Sequence, residues 1–546
     1  MCAIFSILNN CYSTKDVEIA FSKGTPRGPE SSNLKFNNTE NYIIGFHRLA
    51  INGFKNPKSE QPLNYMNCTL ICNGEIYNWD NLHSTLNIPK HSGSDCEIII
   101  HLYKKFGIDY TLKLLDGVFS FILIDHSNSE IYVARDTYGV RPLFVGFDNN
   151  VIIYSSILKS ITLFNKYSTI YAKQFPPGSY SKLVKDVNQN KWIFEISNRI
   201  FSSNNVLFNK HFSFEHVSQL IFESLSQAVK KRIVNTDRTI ACLLSGGLDS
   251  SLITSLVKKH LPKGKELHTW SIGFEGSEDL HYAQKVADFV GTIHHSIVVK
   301  EQEFLDAIPD VIEAIESYDT TTVRASVGNW IISKYIKENS DAKVIFNGDG
   351  SDEVSGGYMY FHYAPNCLNF DSECRRLLND IHYFDVLRSD RSIASHGLEA
   401  RTPFLDKTFV QSYLSIPSNF RYQTHKTGCE KYLIRTAFDN KNFLPKEVLW
   451  RTKEAFSDGV SSNKKSWYQV IQDHLINYKP KFSDSNYQAM NNPPKTLEQK
   501  YYRDIFIEKF GNNFSNVIPY FWMPKFVDAT DASARTLQIY KDKTNL

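Results

Sequence analysis

The sequence of 546 residues has few cysteines, almost no net charge and no long apolar segment. Its 9 cysteines include no CxxC pair and no Cys/His spacing typical of a metal site, which predicts free thiols in a reducing compartment. A net charge of +3 gives no support for a nucleic-acid partner. The longest apolar runs, such as residues 118–124, are far shorter than the roughly 20 residues that span a bilayer, and the first residues lack the basic segment of a secretory signal. These absences predict a soluble, cytoplasmic protein with no membrane partner.

The composition is that of a globular protein, with 42% hydrophobic and 22% charged residues. The length corresponds to about three or four domains of roughly 150 residues each, or to two large ones. One small module is therefore excluded.

The first 160 residues are dominated by short apolar runs rich in β-branched and aromatic residues. Such runs are typical of strands, which we predict at residues 3–8, 42–51, 69–78, 117–125, 130–135, 142–147 and 151–156. Ser94 to Glu97 has the capping-box pattern, and the apolar residues that follow recur at helical spacing. We therefore predict an α+β domain. Residues 181–212 are polar with scattered aromatics, and we place the domain boundary near residue 205.

From about residue 214 the pattern changes to alternating helices and strands. A helical stripe consists of Val217, Leu220, Ile221, Leu225 and Val229. Apolar runs at residues 239–244, 268–274 and 343–347 predict a parallel α/β sheet, whose ligands usually bind at the carboxyl ends of the strands. The segment from about residue 528 is polar, and we predict a frayed tail.

Cys2 is the first candidate for chemistry, because removal of Met1 would leave a residue with both a thiol and a free α-amine. That pair is a nucleophile with its own base, as in N-terminal-nucleophile amidohydrolases. Arg48, the run from Asn73 to Glu75, and Asp95 could hold an amino acid by its two charged groups, and an Asn side chain with a Gly N–H could form an oxyanion hole. The alternative is an incidental cysteine among surface ion pairs and turn residues.

Ser245 to Ser251 reads SGGLDSS and lies between a predicted strand and a helical run. Two glycines let backbone N–H groups approach phosphate oxygens, and a helix N-terminus favours negative charge. No lysine follows as in the GxxxxGK[ST] loop, which favours chemistry that releases pyrophosphate. Asp249 in this loop could meet a metal ion. The alternative is an ordinary glycine turn that caps a helix.

Residues 347–353 place three carboxylates after another predicted strand, at Asp349, Asp352 and Glu353. Clustered carboxylates are costly unless they bind a cation, and Mg²⁺ on triphosphate oxygens is the simplest choice. The alternative is a solvated acidic turn. Arg324 and Lys453 could neutralise a developing pyrophosphate, although a lone cation is usually a surface residue.

Together these residues carry a family resemblance, since the motifs occur in one family's order. They are MCAIF, HRLAI, CNGEIYN, SGSDCEII, DGVFSF, RDTYGVRPL, FPPGSY, LLSGGLDSS, GDGSDEVSGGY, SIASHGLEARTPFLDK and VLWRTKEAFSDGVSS. Over nearly its whole length the chain resembles the glutamine-hydrolysing asparagine synthetases. The resemblance implies an αββα N-terminal-nucleophile sandwich, a class II glutamine amidotransferase domain, at residues 1–205. It implies an α/β pyrophosphatase-type synthetase domain, similar to the adenine nucleotide alpha hydrolases, at residues 214–530, followed by a polar tail at 531–546.

The resemblance also implies a role for each matching residue. Cys2 would be the nucleophile, and Asn73 with Gly74 would form the oxyanion hole. The glutamine-binding positions would be Arg48, Leu49, Ala50, Ile51, Asn52, Asn73, Gly74, Glu75 and Asp95. The ATP-binding positions would be Leu243, Ser245, Gly246, Gly247, Asp249, Ser250, Ser251, Ile272, Asn347 and Gly348. Asp249 and Asp352 would serve Mg²⁺ and pyrophosphate, Lys453 would stabilise the adenylation transition state, and Thr321, Thr322 and Arg324 would serve the aspartate and pyrophosphate part of the site.

The implied reaction makes asparagine from aspartate with ATP as a substrate and ammonia from glutamine. It passes through β-aspartyl-AMP and releases AMP, pyrophosphate and glutamate, while ammonia travels through an internal tunnel. The resemblance further implies a homodimer that binds small-molecule substrates only.

Two positions depart from the family pattern. Asp349 stands where the family usually has Glu, a position tied to accepting a proton from ammonia, and one methylene less shortens its reach. Ile157 stands where the family tends to have Glu.

Three other functions compete with this interpretation. A related adenylating amidotransferase could act on a different carboxylate, although Cys2 argues against relatives that close β-lactam rings. A non-catalytic protein is disfavoured because Cys2, Asp249 and Asp352 are all present. A plain glutaminase would leave the loops at residues 245 and 349 without use.

Overall fold

Two antiparallel sheets and one parallel sheet organise the chain in the computed structural model. The structure describes residues 1–202, 213–451, 459–461, 465–533 and 537–539. The antiparallel sheets lie within the first 200 residues, and the parallel sheet follows.

The first 200 residues form 12 strands in two sheets of six. The strands are β1 (Ala3–Leu8), β2 (Ser31–Asn37), β3 (Tyr42–Arg48), β4 (Leu63–Tyr65), β5 (Cys68–Ile76), β6 (Gly117–Asp125), β7 (Glu130–Arg135), β8 (Phe144–Asp148), β9 (Val151–Ser155), β10 (Tyr171–Gln174), β11 (Ser179–Asp186) and β12 (Lys191–Ile200). One sheet has the order β10-β8-β9-β1-β3-β2, and the other has the order β12-β11-β7-β6-β5-β4. This arrangement confirms every strand predicted in this part of the sequence.

The two sheets pack face to face and carry helices on their outer faces. Ile4 and Phe46 of the first sheet lie in one buried cluster with Ile71 and Ile122 of the second. The helices are α1 (Thr14–Ser22), α2 (Trp79–Leu86), α3 (Ile98–Phe106), α4 (Ile108–Leu114) and α5 (Leu158–Thr162). Helices α1 and α5 cover the first sheet, and α3 and α4 cover the second. The predicted αββα sandwich is therefore confirmed.

Two local predictions in this domain are wrong. Residues 181–200 belong to the paired strands β11 and β12 rather than to a polar connection, and the boundary near residue 205 lies outside the described residues. Ser94 does not cap a helix with its side chain. Instead, the Glu97 carboxylate accepts hydrogen bonds from the backbone N–H of His91 at 2.8 Å and of Ser92 at 2.6 Å.

The second domain is built on a five-stranded parallel sheet. Its strands are β13 (Ile240–Leu243), β14 (His268–Gly273), β15 (Ile293–Val298), β16 (Val344–Phe346) and β17 (Glu399–Arg401), in the order β15-β14-β13-β16-β17. The strand order reverses between β13 and β16, and a crevice for ligands forms at such a point in parallel sheets. The predicted α/β architecture is confirmed.

Helices cover both faces of this sheet. They are α6 (Phe214–Val234), α7 (Leu248–His260), α8 (Glu278–Val290), α9 (Glu301–Ile315), α10 (Thr320–Asn339), α11 (Ser351–Ser355), α12 (Cys367–Asp380), α13 (Asp385–Ala394), α14 (Lys407–Ser415), α15 (Ser418–Arg421), α16 (Thr424–Thr427), α17 (Tyr432–Phe438), α18 (Lys446–Leu449), α19 (Trp467–Leu475), α20 (Asp484–Gln488) and α21 (Leu497–Phe510). Short 3₁₀ helices lie at Pro57–Ser59, Asp95–Glu97, Leu163–Lys166, Met359–Tyr363, Ile381–Tyr383, Pro403–Leu405 and Asn512–Val517. The predicted stripe of α6 is on its buried side, where Leu225 packs with Cys242 of β13.

The start of the predicted frayed tail is anchored in its described part. The Asp531 carboxylate accepts two hydrogen bonds from Arg324, both at 2.8 Å. Leu537 is buried in a cluster with Trp522. No helix in the described ranges is long and apolar enough to cross a membrane.

Candidate active sites

The first candidate site is a pocket beside the N-terminus, where β1, β3 and β5 come together. Its lining includes nearly all of the predicted glutamine-binding residues: Cys2, Arg48, Leu49, Ala50, Ile51, Asn52, Gly74, Glu75 and Asp95. Asn73 is not part of this lining; it is buried on β5, directly before Gly74. The structure therefore brings together residues separated by as many as 93 positions in sequence, from Cys2 to Asp95.

Cys2 lies at the start of β1 with its thiol in this pocket. Its Sγ donates to the backbone carbonyl of Leu49 at 3.5 Å. Burial raises the pKa of the Cys2 thiol while Met1 is attached, and a thiol with a raised pKa is a weak nucleophile. The Met1 α-ammonium donates to the carbonyl of Leu398 at 3.0 Å, and burial lowers its pKa to about 5.

Asn73 and Gly74 lie side by side on β5, where they could supply an oxyanion hole. The Asn73 Nδ2 is buried and has no hydrogen-bond partner among the described residues. Such a donor costs free energy unless a ligand uses it. A Cβ on Gly74 would lie 2.4 Å from the carbonyl oxygen of Val118, so only glycine fits between β5 and β6.

Arg48 holds the loop that follows β3. Its guanidinium donates to the carbonyls of Asn52 at 3.3 Å and Gly53 at 3.2 Å, and it pairs with the Glu60 carboxylate. The loop from Leu49 to Asn52 is therefore shaped around the guanidinium that the sequence predicts to bind glutamine.

Two buried carboxylates give the pocket its charge. Burial is the main cause that raises the pKa of Glu75 well above its usual range, and the nearby Asp95 adds to that effect. Burial likewise raises the pKa of Asp95, although the backbone N–H of Ile76 donates to it at 2.6 Å. An ammonium group in this pocket would stabilise both carboxylates in their ionised form.

The second candidate site is a cleft at the reversal of strand order in the parallel sheet. Predicted residues in its lining are Leu243, Ser245, Gly247, Asp249, Ser250, Ile272, Thr321, Thr322, Asn347, Gly348, Asp349 and Asp352. Three predicted residues, Gly246, Ser251 and Arg324, do not line it. Lys453 lies outside the described residues.

The loop from Ser245 to Ser250 connects β13 to α7, and hydrogen bonds between these two serines join its ends. The Ser245 N–H donates to Ser250 Oγ at 3.2 Å, and the two hydroxyl oxygens are 3.0 Å apart. Gly246 has a φ of +76°, where glycine is favoured, and a Cβ there would lie 2.5 Å from the Ala283 nitrogen. The backbone thus turns sharply into the 13-residue helix α7, whose N-terminus favours phosphate.

The loops after β13 and β16 touch each other. A Cβ on Gly348 would lie 2.7 Å from both the Ser250 nitrogen and the Asp249 Cβ, so glycine permits the close approach. The Ser351 hydroxyl donates to Asp249 Oδ1 at 2.8 Å.

Lys431 lies between the two carboxylates that we predicted to bind metal. Its Nζ is 2.5 Å from Asp249 Oδ2 and 2.6 Å from Asp352 Oδ1, and its side chain is 1% exposed. The buried ammonium donates to two carboxylate oxygens, which come from the first turns of α7 and α11. The donor set fits Mg²⁺, which binds carboxylate and phosphate oxygens.

Asp349 is held in place by neighbours on both of its oxygens. Its Oδ1 is 2.8 Å from Arg388 Nη2, and its Oδ2 accepts from Asn347 Nδ2 at 2.7 Å. Burial raises the pKa of Asp349, while the Arg388 guanidinium opposes that rise. A carboxylate with a raised pKa is suited to accept a proton.

Thr321 and Thr322, at the start of α10, differ in their hydrogen-bond partners. The Thr321 hydroxyl lines the cleft and has no hydrogen-bond partner among the described residues. Thr322 also lines the cleft, but its N–H and hydroxyl donate to the N-cap residue Asp319 at 2.9 Å and 2.7 Å.

The prediction that Arg324 faces pyrophosphate does not match its position. Its guanidinium donates to both carboxylate oxygens of Glu498, at 2.8 Å and 2.6 Å, and also pairs with Asp531. Arg324 is buried outside the cleft, since two carboxylates from the C-terminal part of the chain use its donors.

Several residues that line the cleft were missed by the sequence analysis. They are Asp385, Arg388, Lys431, Arg435, Arg451 and Trp522. No glycine or acidic motif marks them, and they come from segments far from the loops at residues 245 and 349. In the sequence they are distinguished only by their charge or aromatic ring, and many surface residues have the same properties.

Comparisons with known proteins agree with both halves of this architecture. Residues 1–195 match the family described as glutamine amidotransferase domain, and residues 221–371 and 368–492 match the family described as asparagine synthase. A glutamine amidotransferase domain joined to an asparagine synthase region thus defines the class of protein.

Individual relatives narrow the class to one family. The glutamine-hydrolysing asparagine synthetases of Mus musculus and Rattus norvegicus are each 41% identical, and that of Homo sapiens is 40% identical, over 99% of this chain and 99% of theirs. The chain belongs to the family of glutamine-hydrolysing asparagine synthetases. A solved glutamine phosphoribosylpyrophosphate amidotransferase from B. subtilis aligns with a TM-score of 0.33 and 14% identity, covering 55% of this chain and 91% of its own.

Proposed function

We propose that this protein makes asparagine from aspartate, using ATP and ammonia released from glutamine. The observation that carries the proposal is the meeting of Asp249 and Asp352 at one buried cation, from the first turns of the helices that follow neighbouring parallel strands. The same chain holds a cysteine pocket suited to an amino acid with two charged groups. The names of its relatives describe both activities.

In the glutaminase half, removal of Met1 frees the α-amine of Cys2. The Cys2 thiol gives its proton to that amine and attacks the side-chain amide carbon of glutamine. Asn73 Nδ2 and the N–H of Gly74 donate to the oxyanion, and ammonia leaves with the returned proton. Water then hydrolyses the thioester, which releases glutamate and restores the thiol.

In the synthetase half, a carboxylate oxygen of aspartate attacks the α-phosphorus of ATP, and pyrophosphate leaves. The N-terminus of α7 and the backbone of the Ser245–Ser250 loop hold phosphate oxygens. Lys431 offsets part of the negative charge that builds up on pyrophosphate. The family resemblance assigns Lys453 to the adenylation transition state, and this residue lies outside the described residues.

Asp249 and Asp352 are the residues that would hold Mg²⁺. The ion would supply charge neutralisation and orientation for the phosphates. Within the chain, Ser351 orients Asp249, and the ammonium of Lys431 keeps the two carboxylates together.

Ammonia then attacks the activated carbonyl of β-aspartyl-AMP, and AMP leaves. Asp349 accepts the proton that nitrogen loses, while Arg388 and Asn347 orient its carboxylate. Thr321 is placed to donate its hydroxyl to a substrate in the cleft.

Four further properties belong to the same proposal, namely the domain bounds, the location, the oligomeric state and the partners. The glutaminase domain comprises residues 1–205, the synthetase domain 214–530 and a terminal segment 531–546. The protein works in the cytoplasm as a homodimer. Its partners are small-molecule substrates.

The test separates this function from adenylation of another carboxylate. Purified protein is supplied with ATP, Mg²⁺ and ammonium, and with a panel of carboxylates that includes aspartate, glutamate and malonate. We expect AMP and pyrophosphate to form with aspartate, in a ratio of one AMP to one asparagine. ADP instead of AMP would contradict adenylation, and a better acceptor than aspartate would contradict the proposed substrate.

A further inference from the structure

A short segment of the second domain packs against residues that line the pocket around Cys2. It is the connection from α6 to β13, and it runs along the loop that follows β3. The backbone N–H of Asp237 donates to the carbonyl of Ile51 at 3.0 Å, and the Asp237 carboxylate accepts from the N–H of Gly53 at 2.8 Å. Arg238 donates to the carbonyl of Ala50 at 2.8 Å. The predicted glutamine loop is thus supported from outside its own domain.

Asn235, at the start of this segment, reaches the two buried carboxylates of the pocket. Its Nδ2 donates to Glu75 Oε2 at 2.7 Å and lies 3.4 Å from Asp95 Oδ2. The residue is 3% exposed. One NH₂ group thereby serves both carboxylates. Without it, each of the two neighbouring carboxylates would have one hydrogen-bond donor fewer.

The orientation of the Asn235 amide is fixed by a third group. The indole N–H of Trp79 donates to Asn235 Oδ1 at 2.9 Å, and an indole can only donate. The oxygen of the amide therefore faces Trp79, and its NH₂ group faces the carboxylates.

The backbone of Asn235 connects the pocket to the synthetase sheet. Arg401 on β17 donates to the Asn235 carbonyl at 2.8 Å, and its Nη2 is 3.4 Å from Glu75 Oε2. The Arg401 carbonyl in turn accepts from the N–H of Asn347, which lines the ATP cleft, at 3.1 Å.

We propose that Asn235 is a positioning residue of the glutamine site, supplied by the synthetase domain. It bridges Glu75 and Asp95 and keeps both carboxylates aimed at the α-ammonium of glutamine, so that glutamine binding depends on the docking of the two domains. The inference rests on the proposed glutaminase function.

The main variant is Asn235→Ala, which removes the NH₂ group without adding bulk. We expect KM for glutamine to rise at least about tenfold, because a hydrogen bond to a charged group is lost at each carboxylate. The kcat of glutamine hydrolysis and the ammonia-dependent synthesis of asparagine should change less than about threefold. Asn235→Asp should raise KM further, because it adds a third carboxylate.

Two further variants control for structure. Asn513→Ala removes another asparagine that joins the domains, since Asn513 Nδ2 is 2.8 Å from Asn165 Oδ1, and its KM for glutamine should not change. Trp79→Phe removes the donor that orients the amide and keeps an aromatic ring, and it should raise KM by less than Asn235→Ala does.

Covalent labelling of Cys2 gives a readout apart from turnover. A diazoketone analogue of glutamine, which carries the α-ammonium and α-carboxylate, should alkylate Cys2 at least about tenfold more slowly in Asn235→Ala. Iodoacetamide lacks both groups, and its rate should be unchanged.

The inference is overturned if KM and both labelling rates match those of the wild type. It is also overturned if glutamine hydrolysis and ammonia-dependent synthesis fall together, because Asn235 would then be a structural residue only. A wild-type protein that hydrolyses no glutamine would instead refute the proposed function itself.

Discussion

Arg388 and Asp349 form an ion pair inside the ATP cleft, with Arg388 Nη2 2.8 Å from Asp349 Oδ1. The other Asp349 oxygen is held by Asn347, so both ends of this short carboxylate are fixed. The family usually has Glu at this position, and a longer side chain would have to leave this arrangement.

Replacing Asp349 by Glu should therefore slow asparagine formation. We expect kcat of ammonia-dependent synthesis to fall by about tenfold, because about 1 Å of displacement moves the proton acceptor away from the attacking nitrogen. Glutamine hydrolysis should be unaffected. Asp349→Asn, which removes the base, should cost about 10²-fold or more. Unchanged synthesis in both variants would show that this carboxylate is not the proton acceptor.

Cys2→Ala should separate the two half-reactions. Glutamine-dependent synthesis should fall by about 10³-fold or more, since the attacking sulfur is gone, whereas ammonia-dependent synthesis should stay within about twofold. Assays with each nitrogen donor under otherwise equal conditions measure both rates. A parallel loss of both activities would contradict the assignment of Cys2 to a separate site.

Retention of Met1 should change the pH dependence of Cys2 labelling. With Met1 in place, burial raises the pKa of the thiol, so the fraction of thiolate stays small until the pH is strongly alkaline. The alkylation rate by iodoacetamide should then rise steadily from about pH 7 to about pH 9 without a plateau. Protein from cells in which methionine aminopeptidase is inhibited supplies this form, and the processed form should react faster at every pH in the range. Peptide mass spectrometry separates Cys2 from the exposed Cys11, which is an internal control. Equal profiles for the two forms would argue against the role of a free α-amine.

Lys431→Met should change the magnesium requirement and the turnover in opposite directions. The substitution removes one cation that competes with Mg²⁺ for Asp249 and Asp352, so the Mg²⁺ concentration at half-maximal activity should fall. The kcat of synthesis should also fall, by about 10²-fold, because a cation near the departing pyrophosphate is lost. Calorimetric titration with Mg²⁺ and ATP tests the first effect without turnover. The exposed Lys263→Met is the matched control. A higher magnesium requirement would contradict the position of Lys431 between the metal ligands.

Arg324→Met tests whether Arg324 is structural or catalytic. Its guanidinium is buried between Glu498 and Asp531, and removing one partner of a buried ion pair costs about 3–5 kcal/mol. We expect the free energy of unfolding of the synthetase domain to fall by about that amount in urea titrations. Arg199→Met, which breaks an exposed pair with Asp109, should cost less than about 1 kcal/mol. Full stability with loss of pyrophosphate formation would restore the catalytic role that the family resemblance implies.

The strands that the sequence predicts are all interior strands of their sheets. The strands it misses include the six at the sheet edges, namely β2, β4, β10, β12, β15 and β17. Edge strands bury less of each side chain, as the half-exposed residues of Ser31–Asn37 and Ile293–Val298 illustrate, so their apolar pattern is weak. Among the described interior strands only β11 is missed, because Lys182, Lys185 and Asp186 make its sequence resemble a polar connection.

In the candidate sites, the sequence predicts the residues that are close together in the chain and misses those whose partners are far away in it. Cys2, the Ser245 loop and the Asn347 loop are visible because each chemistry is carried by a few neighbouring residues. Lys431 and Asn235 are invisible in the sequence, since they meet their carboxylate partners only through contacts that span 182 and 160 positions. Arg324 is the opposite case, since the sequence predicts it in the active site. In the structure it forms buried ion pairs with two carboxylates from the C-terminal part of the chain.

The most direct test of the account follows one nitrogen atom through the whole reaction. Purified protein is incubated with amide-¹⁵N glutamine, aspartate, ATP and Mg²⁺, and the products are identified by mass spectrometry. We expect ¹⁵N in the side chain of asparagine, with one AMP and one glutamate formed for each labelled molecule. Glutamate without labelled asparagine or AMP would contradict the account, because the cleft around Asp249 and Asp352 would then not use the ammonia that Cys2 releases.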